Sequence, residues 1–110
     1  MEPEYIVVCP AEEIAEGQRE VFSVNDRWIA IFKVSGRYYA VEDLCTHDGN
    51  TLTEDARGNP VPLEDYELEC PRHGARFDIR DGSVKAPPAL VRLPIFPIRV
   101  HEGNIEIALH

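Results

Sequence analysis

The chain has 110 residues, of which 44% are apolar and 28% charged, and its net charge is −9. That length suits one domain, and that composition excludes a disordered tail or a fibrous repeat. Only 11 Lys and Arg stand against 20 Asp and Glu. So acidic a chain is a poor binder of nucleic acid or of anionic membranes, and it favours a basic protein partner.

In chain order, Met1-Glu2-Pro3-Glu4-Tyr5 lacks the basic start and apolar run of a signal peptide. No stretch approaches the roughly 18 apolar residues of a membrane span. Tyr5 to Cys9 is apolar and β-branched, and Pro10 to Ala15 allows one helical turn closed by Gly17. Arg19 to Val24 alternates and runs into Asn25-Asp26, a turn pair. Trp28 to Val34 alternates too, with Trp28, Ala30, Phe32 and Val34 on one face and Ile29, Ile31 and Lys33 on the other. This places Trp28 in the core or at its rim. Ser35-Gly36 is a hairpin turn into Arg37 to Val41. Later, Arg76 to Ile79 precedes a turn at Asp81-Gly82, and Ile95 to Val100 and Asn104 to Leu109 flank Glu102-Gly103. Short strands with turn signals, and nine prolines between or at the ends of them, predict an all-β antiparallel sandwich or small barrel.

Leu44 to Gly74 breaks this pattern, with little strand signal. A long irregular stretch in a compact domain is usually functional. The acid gathers here: residues 42–69 hold nine acids and one base, a local charge of −8.

Two pairs in this region carry the chemistry: Cys45-Thr46-His47 and Cys70-Pro71-Arg72-His73-Gly74, with 22 residues between His47 and Cys70. Each loop presents a thiolate and an imidazole, so two loops supply two sulfurs and two nitrogens to one centre. A structural zinc site uses such a set. Zinc fingers, however, pair like with like, and C-x-H is tight for two ligands on one ion. A zinc-stabilised β interaction module is therefore the weaker alternative. The remaining Cys9 sits in an apolar run and reads as a core residue. His101 and His110 read as surface residues. Three cysteines make an odd number that argues against a secreted disulfide scaffold, so a cytoplasmic chain is expected, and a monomer is expected because the pattern shows no sustained exposed apolar surface.

These residues resemble the Rieske-type [2Fe–2S] proteins. The resemblance takes in Leu44-Cys45-Thr46-His47, Cys70-Pro71-Arg72-His73-Gly74, Phe77, Asp81-Gly82-Ser83-Val84 and Ala86-Pro87-Pro88-Ala89-Leu90. With the β pattern it spans nearly the whole chain, read as one Rieske domain over 1–110 with a cluster-binding subdomain at about 43–88. The short length resembles the stand-alone ferredoxins that feed electrons to Rieske-type oxygenases. The resemblance implies one [2Fe–2S] cluster, with Cys45 and Cys70 on a buried iron and His47 and His73 on an outer iron near solvent. It implies one-electron transfer from a flavoprotein ferredoxin reductase to a terminal oxygenase, with no catalysis on an organic substrate. A Rieske-like accessory subunit, of the nitrite-reductase small-subunit kind or associated with cluster assembly, shares the same fold. Two neutral imidazoles let one electron take a neutral centre to a single negative charge. Four thiolates would force a doubly negative centre to triply negative, so histidine ligation raises the potential.

Quinol-oxidising relatives carry a disulfide between the two boxes, at positions held here by Asn50 and Arg72. They also carry a serine and a tyrosine that donate to cluster sulfur, where this chain has Ala75 and Phe77. Without those donors the potential is expected near roughly −150 mV, the low end for such centres. Gly49 and Gly74 are expected to let backbone N–H groups approach sulfide. Pro87 and Pro88 would lie in a third, shielding loop. Arg72 and Arg76 are expected to pair with local acids. Thr53 to Pro60 reads as an extra loop, either a tolerated insertion or, with Glu54, Asp55, Glu64 and Asp65, an acidic docking surface.

Overall fold

A computed structural model of the chain describes residues 4–47 and 49–109. It holds eleven strands in its described part: β1 (Tyr5–Pro10), β2 (Arg19–Val24), β3 (Arg27–Val34), β4 (Arg37–Glu42), β5 (Leu63–Glu64), β6 (Glu67–Glu69), β7 (Arg76–Asp78), β8 (Val84–Ala86), β9 (Ile95–Phe96), β10 (Ile98–His101) and β11 (Asn104–Ala108). The expected helical turn is a single 3₁₀ turn over Ala11–Glu13. Three sheets result, ordered β1-β11-β10, β2-β3-β4-β9 and β5-β6-β7-β8. No helix among the described residues is long and apolar enough to cross a membrane.

By internal packing the chain divides into two compact units, residues 1–40 with 96–110 and residues 41–95. In the first, the β2–β3 hairpin pairs Arg19 with Phe32 through Val24 with Arg27. Its turn residues Asn25 and Asp26 both take positive φ, 50° and 64°, the tight hairpin geometry that Asn and Asp tolerate best. The first and second sheets share one core of Cys9, Ile14, Ile29, Ile31, Ala40, Phe96, Ile105 and Ile107. Burial raises the Cys9 thiol to about 11, helped by the negative charges of Glu13 and Glu20. It is therefore a protonated core residue at neutral pH, as its apolar run suggests.

Trp28 corrects the reading of β3. Its indole is 58% exposed, whereas Ile29 to Phe32 are all buried. Burial spans both faces in the middle of the strand and ends at Trp28, which lies two residues beyond the turn at Asp26. Pro97 also divides the expected Ile95 to Val100 run into β9 and β10, because proline has no N–H to give to a ladder.

The second unit is built on the sheet β5-β6-β7-β8, all of it antiparallel. The β5–β6 hairpin lies inside the stretch expected to be irregular. Its turn residues, Asp65 and Tyr66, both have positive φ, 49° and 65°, and Tyr66 carries no turn signal. Long-range contacts hold that turn instead. Tyr66 O accepts from Ile79 N at 2.8 Å, and the Arg80 guanidinium covers the Tyr66 ring at 4.2 Å. Arg80 is fixed in turn by the buried Asp78 carboxylate, through bonds of 3.0 and 2.7 Å. The extra loop is a small closed hairpin: Glu54 bridges Pro60, and Asp55 Oδ1 accepts from Arg57 N and Asn59 N, each at 2.9 Å. These bonds hold the Asp55 carboxyl below its ordinary range, so it stays ionised.

Candidate metal centre

The two Cys–His loops close in the same way. In the first, Cys45 N donates to Asn50 O at 2.8 Å and Gly49 N donates to Cys45 O at 2.8 Å. In the second, Cys70 N donates to Ala75 O at 2.6 Å and Gly74 N donates to Cys70 O at 3.0 Å. Each loop is thus a six-residue turn whose first residue is a cysteine and whose fifth is a glycine with φ near 77° or 79°. The two glycines have a role in the loop geometry itself. Their N–H groups bind the cysteine carbonyls and shape the loops, because αL glycine at that place turns the amide back onto the loop's start.

Burial sorts the four candidate ligands. Cys45 and Cys70 are 0% and 1% exposed, while His47 and His73 are exposed. The two imidazoles meet edge to face, with ring centroids 5.0 Å apart. No disulfide engages the cysteines. Among the described residues, no three His, Cys, Asp or Glu side chains gather as a group for one ion. Two buried thiols and two exposed imidazoles in ring contact form a donor set whose chemistry suits a centre of two irons taking two donors each. Ala75 and Phe77, behind the second loop, are fully buried and offer no hydroxyl.

Asp43 is a support that sequence reasoning missed. It is 6% exposed. Its Oδ1 accepts from Leu52 N at 2.8 Å and Thr53 N at 2.9 Å, and its Oδ2 accepts from Thr53 Oγ1 at 2.7 Å. One carboxylate therefore cinches the segment carrying Cys45 and His47. Asp43→Ala would strand three buried donors, each costing about 1–3 kcal/mol. We expect it to lower the urea midpoint strongly and Asp43→Asn to lower it much less, because the amide keeps an acceptor for both N–H groups. Circular dichroism during urea titration checks this, and equal losses would reject the acceptor role.

The third loop is pinned to the first. Thr46 Oγ1 donates to Val91 O at 2.6 Å, which seats 87–93 beside the first ligand pair. Pro87 and Pro88 lie in it, joined by a cis peptide bond. Arg76 does pair with local acids, Glu67 at 3.0 Å and Glu69 at 3.2 Å. Arg72 Nη2 donates to the Thr51 carbonyl. His101 is exposed, as expected; His110 and Asp48 lie outside the described residues. A cleft of about 250 Å³ borders the second loop at Pro71 and is lined by Asp55, Glu64, Glu67, Glu69 and Arg76.

A family model described as the Rieske [2Fe-2S] domain matches residues 4–97. The chain is 35% identical over 99 residues to the p-cumate 2,3-dioxygenase system ferredoxin component of Pseudomonas putida, covering 89% of this chain and 80% of that protein. Among solved structures it is similar to the ferredoxin of carbazole 1,9a-dioxygenase from Nocardioides aromaticivorans IC177, with a TM-score of 0.78, 25% identity, and coverage of 94% and 96%. It is also similar to a chain in a complex of reduced oxygenase and oxidized ferredoxin in carbazole 1,9a-dioxygenase, with a TM-score of 0.79, 30% identity, and coverage of 94% and 92%. With this fold, this pair of loops and these relatives, the chain belongs to the Rieske [2Fe-2S] domain family and is an electron carrier of the ferredoxin type with a [2Fe–2S] cluster as its cofactor.

Proposed function

We propose that the chain takes single electrons from a flavoprotein ferredoxin reductase and gives them to a terminal oxygenase in the cytoplasm, working as a monomeric one-domain carrier. Cys45 and Cys70 would hold the inner iron and His47 and His73 the outer one. Bound there, the cluster supplies a one-electron couple. The observation that carries this reading is the split in burial: both thiols are sealed in, and both imidazoles reach the surface. The thiolates sit in a low-dielectric interior that disfavours added negative charge, while the imidazoles give a docked partner a short path to the centre. Relatives named as ferredoxin components of dioxygenase systems, and a solved oxygenase–ferredoxin complex, support the choice of acceptor.

Absorption and EPR on fresh protein, with iron and zinc quantified, test the centre. The expected protein is red-brown, EPR-silent when oxidised and rhombic after dithionite, with two irons per chain. Its potential should fall near roughly −150 mV, because Ala75 and Phe77 give no hydroxyl to stabilise the reduced state. A value above about +100 mV would overturn that reasoning. A colourless protein holding zinc would overturn the function.

The acidic region is proposed to steer a basic partner to the exposed imidazoles. Replacing Glu54, Glu64 and Asp65 by their amides should slow electron transfer roughly tenfold at low salt. The difference should fade near 1 M salt, where the Debye length is about 3 Å. Asp55 is spared because it closes its own loop. An unchanged low-salt rate in stopped-flow mixing rejects the steering role.

A further inference from the structure

The bonds that close each ligand loop lie within that loop. Arg72 reaches out of one and into the segment of the other. It lies between Cys70 and His73, and its Nη2 donates to the Thr51 carbonyl at 2.9 Å. Thr51 follows Asn50, whose carbonyl closes the first loop on Cys45. The bond therefore runs from the middle of the second loop to the far end of the first. It lies at the exposed level of the site, where His47 and His73 also sit.

We propose that Arg72 is a positioning residue for the metal centre: its guanidinium ties the two ligand loops together on their solvent side and slows loss of the cluster. This rests on the reading that both loops hold one centre. A ligand set shared between two loops is released when the loops part. On the inner side, Cys45, Leu52, Cys70 and Ala75 are buried and resist parting. On the outer side the ligands face water, and a bond across the loops opposes opening there. Arginine suits the task. Its long stem spans the gap, its planar fork stays charged, and it loses little freedom for each bond it makes. Because the bond is exposed, its effect is modest, roughly three- to tenfold in the rate of opening.

The test uses cluster-loaded protein and the variants Arg72→Lys, Arg72→Gln and Arg72→Ala. Two quantities are read: decay of visible absorbance in the presence of an iron chelator, and hydrogen exchange at the Gly49 and Gly74 amides. Arg72 is half-buried and outside the buried core, so circular dichroism should show all variants folded. Expected is faster decay and faster amide exchange in the order Lys, then Gln and Ala, roughly three- to tenfold at the end of the series. The acceleration should persist near 1 M salt, because a charge acting at a distance is screened there and a hydrogen-bonded tie is not. Acceleration that vanishes in high salt would reassign Arg72 to a purely electrostatic role and overturn the brace. Variants that keep the cluster as long as the parent would also overturn it. A parent chain that binds no iron would overturn the brace together with the centre it serves.

Discussion

Cys45→Ser and Cys70→Ser should each yield a colourless chain without the two irons, and Cys9→Ala should keep the full complement. All three side chains are buried, at 0%, 1% and 6% exposure, so burial alone does not distinguish them. Position does. Cys9 lies in β1 within the shared core of the first two sheets, with its thiol raised to about 11. A thiol so placed is a small hydrophobe, and its loss should cost about 1–2 kcal/mol of packing. Cys45 and Cys70 each open a loop whose backbone turns back on itself within six residues and presents an exposed histidine. His47→Ala and His73→Ala should likewise lose the rhombic EPR signal, while His101→Ala, on exposed β10, should leave it intact. Iron analysis and EPR of the six variants check the set. Retention of two irons in any of the four ligand variants would overturn the assignment of that residue.

Gly82→Ala should be the most damaging small substitution in the second unit. Gly82 has φ of +78°, and a Cβ built there would fall on the Leu93 carbonyl oxygen, far inside van der Waals contact. The two nearest atoms it meets, the carbonyl O and C of Leu93, are backbone and cannot rotate away; the third is a methyl of Ile95. The close approach is needed because Leu93 N donates to Gly82 O at 2.8 Å, which anchors the end of the loop that Thr46 holds at Val91. Alanine would pay about 1–2 kcal/mol for the left-handed backbone and would also have to push residue 93 away. A loss of about 3 kcal/mol or more is expected, with faster cluster release because the third loop moves. Gly58→Ala is the matched control. It has the same sign of φ, +79°, but open space around its Cβ, so only the backbone cost applies. Equal urea midpoints for the two variants would show that the approach to Leu93 is not rigid.

Much of this molecule is local and therefore legible in the sequence. The apolar β-branched run of β1, a period of two in β2 and β3, turn pairs such as Asn25-Asp26 and Ser35-Gly36, and prolines at strand ends specify an all-β chain through interactions within a few residues. The ligand pairs are local too, since each loop carries its thiol and imidazole within four positions. Cys9 was separable from the other cysteines by its apolar neighbours alone.

What lies outside that range was not legible. The β5–β6 hairpin turns on Asp65-Tyr66, held by Ile79 and Arg80 from further along the chain. Trp28 belongs to an alternating pattern, yet burial stops short of it. Asp43 looked like one acid among nine in its region, until folding aimed it at Leu52 and Thr53. The fold class and the two-loop form of the candidate donor set were readable from the sequence, because both depend on residue chemistry at short spacing. The contacts that Thr46 makes with Val91, Arg72 with Thr51 and Asp43 with Leu52 and Thr53 came only with the folded chain. Burial and hydrogen-bond partnership are set by which distant segments pack together, and no local pattern encodes that.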